Sequence, residues 1–291
     1  MGNFVYLNGQ ILPSDKAQIS ANDRGFLFGD GLIETFRTYK QAPFMLKSHL
    51  NRLAESAKAL GINMPDAEQL KQAVYDCIEK NAIAEAKVRI TLTRGSSLNG
   101  SLYEEISEPT VLITASELNP AAFSSAGQGV KAISGEDKRS FLSSHKNLSM
   151  MASVASFRQV AEKGAFDMIQ VTRRGFVTEG LRSNVFIVLD GILLTPPLGS
   201  GVLAGITRQI ALNIARRNGL KVEEDGIVGQ DLNSAEEIFL TNSISEIVPV
   251  TSLNGQPVAG GQVGRLTSTI QKGYCLLVEN WLEQIGLAVI R

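Results

Sequence analysis

The sequence predicts an α/β protein of two mixed domains with largely antiparallel sheets. Strand-like and helix-like segments occur in both halves without the strict strand–helix–strand alternation that builds a parallel sheet. Hairpin signals recur: Asn-Gly in "NFVYLNGQIL" and Asp190-Gly191 in "SNVFIVLDGILLTPP". Between the halves, "NPAAFSSAGQG" (119–129) carries Pro, Ala, Ser and Gly without periodicity and reads as a linker. The expected division is therefore residues 1–118, a linker at 119–130, and residues 131–291. A chain of 291 residues, 44% hydrophobic and 20% charged, can bury two cores of ordinary size.

The elements follow in order. After the first hairpin, "LIETFRTY" is rich in β-formers and reads as a strand. "FMLKSHLNRLAESAKALG" is an amphipathic helix, with Leu46, His49, Leu50, Leu53, Ala57 and Leu60 on one face and Gly61 ending it. A second helix spans about 66–80, opened by Asp66 with Gln69 three residues on. "KVRITLTRG" and "PTVLITASEL" read as strands. Beyond the linker come a strand in "VKAISG", a helix expected over Asn147 to Gly164, and two hairpins in "FDMIQVTRRGFVTEG" and "SNVFIVLDGILLTPP". "GITRQIALNIARRNG" is a helix with Thr207 in its first turn, "AEEIFLTNSISEIVPV" holds strands either side of a polar turn, and a last helix is expected from about Gly264 to Gly286. In such an arrangement the space between domains is the default place for an active site.

Composition narrows the function. A net charge of −1 gives no electrostatic case for nucleic acid or an anionic membrane. Two cysteines, Cys77 and Cys275, offer neither a disulfide framework nor a zinc pattern. The start "MGNFVYLNGQ" lacks a basic region followed by an apolar run, Tyr6 spoils a myristoylation motif, and no apolar run approaches ~20 residues. A soluble, cytoplasmic protein is expected. With only His49 and His145, no metal site is expected. The glycine-rich "FGDG" and "GGQVG" fit neither the dinucleotide fingerprint nor a P-loop.

What remains is a set of pieces suited to an anionic, aldehyde-bearing cofactor. Lys146, in "FLSSHKNLSMMASVASF", stands at the expected start of a helix. The macrodipole there disfavours an ammonium by ~0.3–1 kcal/mol, and a free amine is what a Schiff-base lysine needs. A solvated loop lysine has the same appearance in sequence. Arg52 sits one turn after His49. Gly205 and Thr207 lie at a helix N-terminus, where free N–H groups hold anions. "TNS" (241–243) follows a strand, and Glu179 stands in "VTEG" between two strands. Each alone has an ordinary explanation as a surface arginine, a cap, a turn or a solvated glutamate.

Six motifs in one order carry a resemblance: "DRGFLFGDGLIETFR", "FMLKSHLNRLAESAKALGI", "HKNLS", "VTEGLRSNVFIV", "GVLAGITRQIAL" and "EEIFLTNSISEIVPV". Together they resemble the fold type IV pyridoxal-phosphate enzymes, which include branched-chain and D-amino-acid aminotransferases and 4-amino-4-deoxychorismate lyases. The resemblance implies pyridoxal 5'-phosphate as cofactor, anchored by the C-terminal domain. It implies Lys146 as the Schiff-base and proton-shuttling lysine, and Glu179 as the partner of the pyridine nitrogen. Arg52, the backbone at Ile206 and Thr207, and Ser243 would hold the phosphate, with Ser183, Asn184, Gly205 and Asn242 completing the cofactor set. It also implies a homodimer with active sites near its interface, the loop from Arg94 to Asn99 being lent by the partner chain, and a small-molecule amino substrate.

Within that family the motifs point first to the lyase, which releases 4-aminobenzoate and pyruvate for folate synthesis. "FLTNS…EIVPV" resembles the lyases, whereas branched-chain enzymes more often show Gly-Thr-Ala where Asn242, Ser243 and Ile244 stand. Ser149 and Met150 occupy places where relatives usually show Asn and often Tyr. "LTRGSSLNG" begins like a carboxylate-binding loop but has Asn99 where a second basic residue is expected. Arg182, and after it Arg94 and Arg24, are the candidates to bind the substrate carboxylate. The alternative is a transaminase for D-amino acids or branched-chain L-amino acids with a 2-oxo acid acceptor.

Overall fold

The computed structural model describes residues 3–97, 108–118, 127–140 and 142–287. The chain divides into two compact units: Met1–Leu118 with His145–Met150, and Asn119–Ser144 with Met151–Arg291. Most of the linker, and the Asn99 position, lie outside the described residues.

The first unit is built on a hairpin, β1 (Phe4–Leu7) and β2 (Gln10–Pro13), turning through Asn8 and Gly9 at positive φ. Then come a short helix α1 (Arg24–Phe28), β3 (Gly31–Tyr39), β4 (Ala42–Pro43), helices α2 (Leu46–Leu60) and α3 (Ala67–Asn81), and strands β5 (Ala86–Thr93) and β6 (Thr110–Glu117). The six strands form one sheet in the order β2-β1-β6-β5-β3-β4, every pair antiparallel. Alternation along β3 and β5 sends Leu32, Phe36, Val88, Ile90 and Leu92 to one face, where they pack with Leu50 and Leu53 of α2 and Leu70, Val74 and Ile78 of α3. Asp66 caps α3 by accepting from Glu68 N (2.9 Å) and Gln69 N (3.2 Å), as its sequence signature predicts.

The second unit contains β7 (Val130–Glu136), α4 (Met151–Glu162), β8 (Asp167–Val171), β9 (Val177–Gly180), β10 (Asn184–Leu189) and β11 (Ile192–Thr195). It continues with α5 (Ile206–Arg217), β12 (Val222–Glu224), α6 (Asp231–Ser234), β13 (Glu237–Asn242), β14 (Glu246–Leu253), β15 (Gln256–Pro257) and α7 (Arg265–Gln284). Its sheet runs β12-β11-β10-β13-β14-β7-β8-β9, with β15 paired to β14. The pairs β11·β12, β14·β7 and β7·β8 are parallel and the rest antiparallel. The central strands β10 and β13 are apolar on both faces, as doubly covered strands must be, and Phe186 stacks on Phe239 at 4.7 Å. Glu237 caps α7 from the adjacent strand, accepting from Leu266 N, Thr267 N and Thr267 Oγ1.

One expectation changes in a way that matters for the site. The helix predicted over Asn147 to Gly164 begins only at Met151. Residues 146–148 instead lie along the start of β3: Ile33 N donates to Lys146 O (2.8 Å), Leu148 N donates to Gly31 O (3.0 Å), and Asn147 bridges Leu32. This is why residues 145–150 belong with the first unit rather than with residues 131–291, where the sequence put them. Lys146 is therefore fixed by strand pairing, and the macrodipole argument for its amine falls away.

Gly31 makes that approach feasible. A Cβ there would sit 2.7 Å from Leu148 Cδ1 and 2.7 Å from Leu92 O, the second a backbone atom that cannot step aside. Gly31→Ala is expected to cost about 1–3 kcal/mol in urea unfolding and to free the 146–148 segment to amide hydrogen exchange. Unchanged protection of Leu148 N–H would contradict this.

Candidate active site

In the first unit the site begins with a charge placed where the pattern calls for a hydrophobe. Leu32, Glu34 and Phe36 share the core face of β3, so Glu34 is 1% exposed. A carboxylate there stays ionised only if paired. Its partners come from one face of α2: His49 Nδ1 lies 2.7 Å from Oε2, and Arg52 donates Nε to Oε1 and Nη2 to Oε2, both at 2.7 Å. Burial alone would raise Glu34, but the hydrogen bonds from His49 and Arg52, with the charge of Arg52, bring it down to about 2. Burial pushes His49 down. The bond to Glu34 opposes this, and the charges of Arg52 and Lys146 push it down further. His49 is thus a neutral donor, its Nδ1 carrying the proton because a carboxylate only accepts. One turn beyond Arg52, Ser56 Oγ lies 3.0 Å from Nδ1 of His145, the residue before Lys146.

So the structure brings Arg52 and Lys146 into one framework, with two members the sequence reading left aside. Glu34 was legible as a lone charge on a core-facing strand position. His49, which the sequence places on the apolar face of its helix, is a hydrogen-bond donor to that charge.

In the second unit, Glu179 closes β9 and is 7% exposed. Oε2 accepts from Leu203 N (2.8 Å) and Asn184 Nδ2 (3.2 Å), and Oε1 is bonded by Arg139 Nη1. Asn184 Nδ2 also donates to Leu203 O (2.8 Å), so the expected cofactor residue Asn184 serves to hold Glu179 and the Leu203 loop. That loop leads into α5, whose N-cap Gly205 provides no side-chain capping bond. A Cβ on Gly205 would come within 1.9 Å of Asn184 Oδ1, so only glycine lets the helix start here. Ile206 and Thr207 then occupy the first turn, with Thr207 3% exposed.

Other expected residues have destinations of their own. Ser183 Oγ donates to the buried Asp167 (2.7 Å), a bond within the scaffold. Asn242 Oδ1 accepts from Ile244 N (2.9 Å) and Ser245 N (2.7 Å), shaping the turn that carries Ser243 rather than presenting its own side chain. Arg24 and Arg94 both bind Asp30, and Arg94 also bonds Leu60 O and Gly61 O at the end of α2. Arg182 is exposed, donates to Phe166 O (2.6 Å) and stacks 4.6 Å and 4.9 Å from the rings of Phe166 and Phe157. The three arginines proposed for the substrate carboxylate are thus committed to protein partners. Arg139 and the Leu203 amide were missed; nothing in sequence marks the second, because it is a backbone group.

The chemistry of these features suits pyridoxal phosphate. An amine (Lys146), an ionisable acceptor for a ring nitrogen (Glu179), an arginine and an uncapped helix N-terminus for a phosphate are the donor set that such a molecule requires. Thr241 Oγ1, at the end of β13 beside the Ser243 turn, is buried with no hydrogen-bond partner among the described residues, a further polar atom with bonding capacity to spare. The residues fit the group. Among the described residues no His, Cys, Asp and Glu cluster could hold a metal ion, and no helix is long and apolar enough to cross a membrane.

Fold and residues together define an enzyme that works through an amine-binding cofactor. The chain belongs to the family described as amino-transferase class IV, whose model matches residues 31–253. It is 32% identical over 282 residues to a putative branched-chain-amino-acid aminotransferase of Methanocaldococcus jannaschii, covering 95% of this chain and 97% of the relative. It is 30% identical over 271 residues to a D-alanine aminotransferase of Staphylococcus epidermidis, covering 93% and 96%. A hypothetical aminotransferase from Mycobacterium tuberculosis in its PLP-bound form superposes with a TM-score of 0.81 at 26% identity, covering 93% and 98%.

Glu34 offers a direct check on the first half of the site. Its folded pKa of about 2 lies below the ordinary 4.5, so its contribution is present above pH about 4.5 and is lost as pH falls towards 2. Glu34→Gln should cost about 3 kcal/mol at pH 7, with the gap from wild type narrowing below pH about 4.5 in urea unfolding. An equal gap at pH 7 and pH 2.5 would assign the loss to packing instead.

Proposed function

We propose that the protein is a pyridoxal-phosphate-dependent aminotransferase, moving an amino group from a D-amino acid or a branched-chain L-amino acid to a 2-oxo acid. The observation that carries this is that Lys146 and Glu179 are each held in a framework of their own unit, in a chain whose named relatives are branched-chain and D-alanine aminotransferases. The lyase expected from the motifs gives way to this alternative, because its support lay in a few short segments, while the relatives match over nearly the whole chain.

When bound, pyridoxal phosphate supplies a carbonyl that condenses with amines and a ring that delocalises the electron pair of a broken Cα–H bond. Lys146 would hold the carbonyl in the resting enzyme and, once freed, would serve as the base that takes the α-proton and gives it back. Glu179 would accept a hydrogen bond from the ring N–H and so favour the protonated form of that nitrogen. The N–H groups of Ile206 and Thr207, the Thr207 hydroxyl and Ser243 would bind the phosphate, with Arg52 supplying positive charge. The working form is a homodimer: Phe26 is 77% exposed, and Leu27 and Phe28 beside it are 42% and 43% exposed, an apolar strip suited to a second copy.

The test follows the cofactor spectrum of the yellow holoprotein on mixing with D-alanine, D-glutamate or L-leucine, then with a 2-oxo acid. Conversion to the amine form, reversal by the oxo acid, and loss of both by about 10²–10⁴-fold or more in Lys146→Ala are expected. Catalytic release of 4-aminobenzoate and pyruvate from aminodeoxychorismate, with no response to amino acids, would restore the lyase.

A further inference from the structure

Arg139 belongs to none of the motifs, yet it forms an ion pair with Glu179. It follows β7 by three residues and is 12% exposed in its side chain. Two of its nitrogens grip Asp137 in a fork, Nε to Oδ1 at 3.0 Å and Nη2 to Oδ2 at 2.8 Å, and the third, Nη1, bonds Glu179 Oε1. Asp137 is itself tied to β9, because Oδ2 accepts from the hydroxyl of Thr178 (2.9 Å), the residue before Glu179. The guanidinium plane is therefore oriented from the same strand whose carboxylate it holds. Burial would raise Asp137, but its bonds and attraction to Arg139 bring it below its ordinary value, so the fork is an ion pair.

We propose that Arg139 is a positioning residue for the cofactor: it fixes Glu179 as an ionised acceptor aimed at the ring nitrogen. This rests on the reading of Glu179 given above. Without Arg139, Glu179 would lose a charged donor while keeping the neutral donors Leu203 N and Asn184, and burial favours a neutral acid, which donates to a ring nitrogen instead of accepting from it. With Arg139 the charges of Asp137, Arg139 and Glu179 sum to one net negative. A protonated ring nitrogen neutralises that remainder. An arginine tying β7 to β9 for stability alone would have no bearing on which ring is bound.

The experiment uses the full-length apoprotein, titrated with pyridoxal phosphate and with its carbocyclic analogue bearing CH in place of the ring nitrogen. The readout is the ratio of the two affinities. Wild type is expected to favour pyridoxal phosphate, and Glu179→Gln to abolish that preference. Arg139→Gln is expected to cut the ratio about tenfold, the scale of one charge-assisted bond. Arg139→Lys, which keeps the charge but loses the fork, recovers part of it and serves where the glutamine variant does not fold. If Arg139→Gln weakens both ligands equally, or raises the ratio, while Glu179→Gln abolishes it, the proposal is overturned and Arg139 is a strand tie. If Glu179→Gln leaves the ratio at the wild-type value, the assignment of Glu179 itself fails, and the proposal with it.

Discussion

An ionised carboxylate on the core face of a strand is costly to bury, and the pairing of Glu34 is the constraint from which the first unit's site follows. Glu34 cannot be satisfied by the sheet, whose polar groups are spent on strand pairing. It draws instead on α2, where His49 and Arg52 are three residues apart and so share a face. That fixes the rotation of α2 against β3. Ser56, a further turn along, then meets His145, and Lys146 returns to β3 through its carbonyl. The frame closes on itself: strand, helix, lysine segment, strand. A shift in any one contact would be felt at the lysine, which is a sound way to hold a flexible side chain with four rotatable bonds.

The second unit meets the same need by different means. Glu179 is surrounded by a backbone amide, a carboxamide and a guanidinium, each held by a neighbour in the sheet or the loop into α5. The close fit of Gly205 against Asn184 lets one residue orient the carboxylate and the start of the helix together. Two proposed functions that look separate along the chain, holding a ring nitrogen and holding a phosphate, would share one scaffold residue here.

Much of the architecture was legible because it is decided locally. The Asn8-Gly9 and Asp190-Gly191 hairpins, the Asp66 cap and the apolar face of α2 depend on residues a few positions apart, and each forms where the sequence puts it. The setting of Lys146 is decided by pairing with a strand more than a hundred residues earlier, so helix periodicity starting at Asn147 overran the true start at Met151. Residue types at the site were legible, but side-chain destinations were not. Ser183, Asn242, Arg24, Arg94 and Arg182 all have chemistry suited to a ligand, and all spend it on the protein. Arginine is the extreme case, since its five donors and flat faces suit a carboxylate, a carbonyl or an aromatic ring equally.

Charge gives the two frameworks a common logic. Around Glu34 the guanidinium of Arg52 pairs with the carboxylate while His49 stays neutral, and Lys146 brings a second basic group to the same framework. Around Arg139, two carboxylates outnumber the guanidinium, so that framework is left negative. Pyridoxal phosphate carries its anionic phosphate and phenolic oxygen on one part of the molecule and its basic nitrogen on another. Cationic side chains suit the former and a carboxylate the latter. Each framework thus offers side chains of the sign that one end of the cofactor would pair with, so that a charged ligand would recover by attraction part of what its desolvation costs.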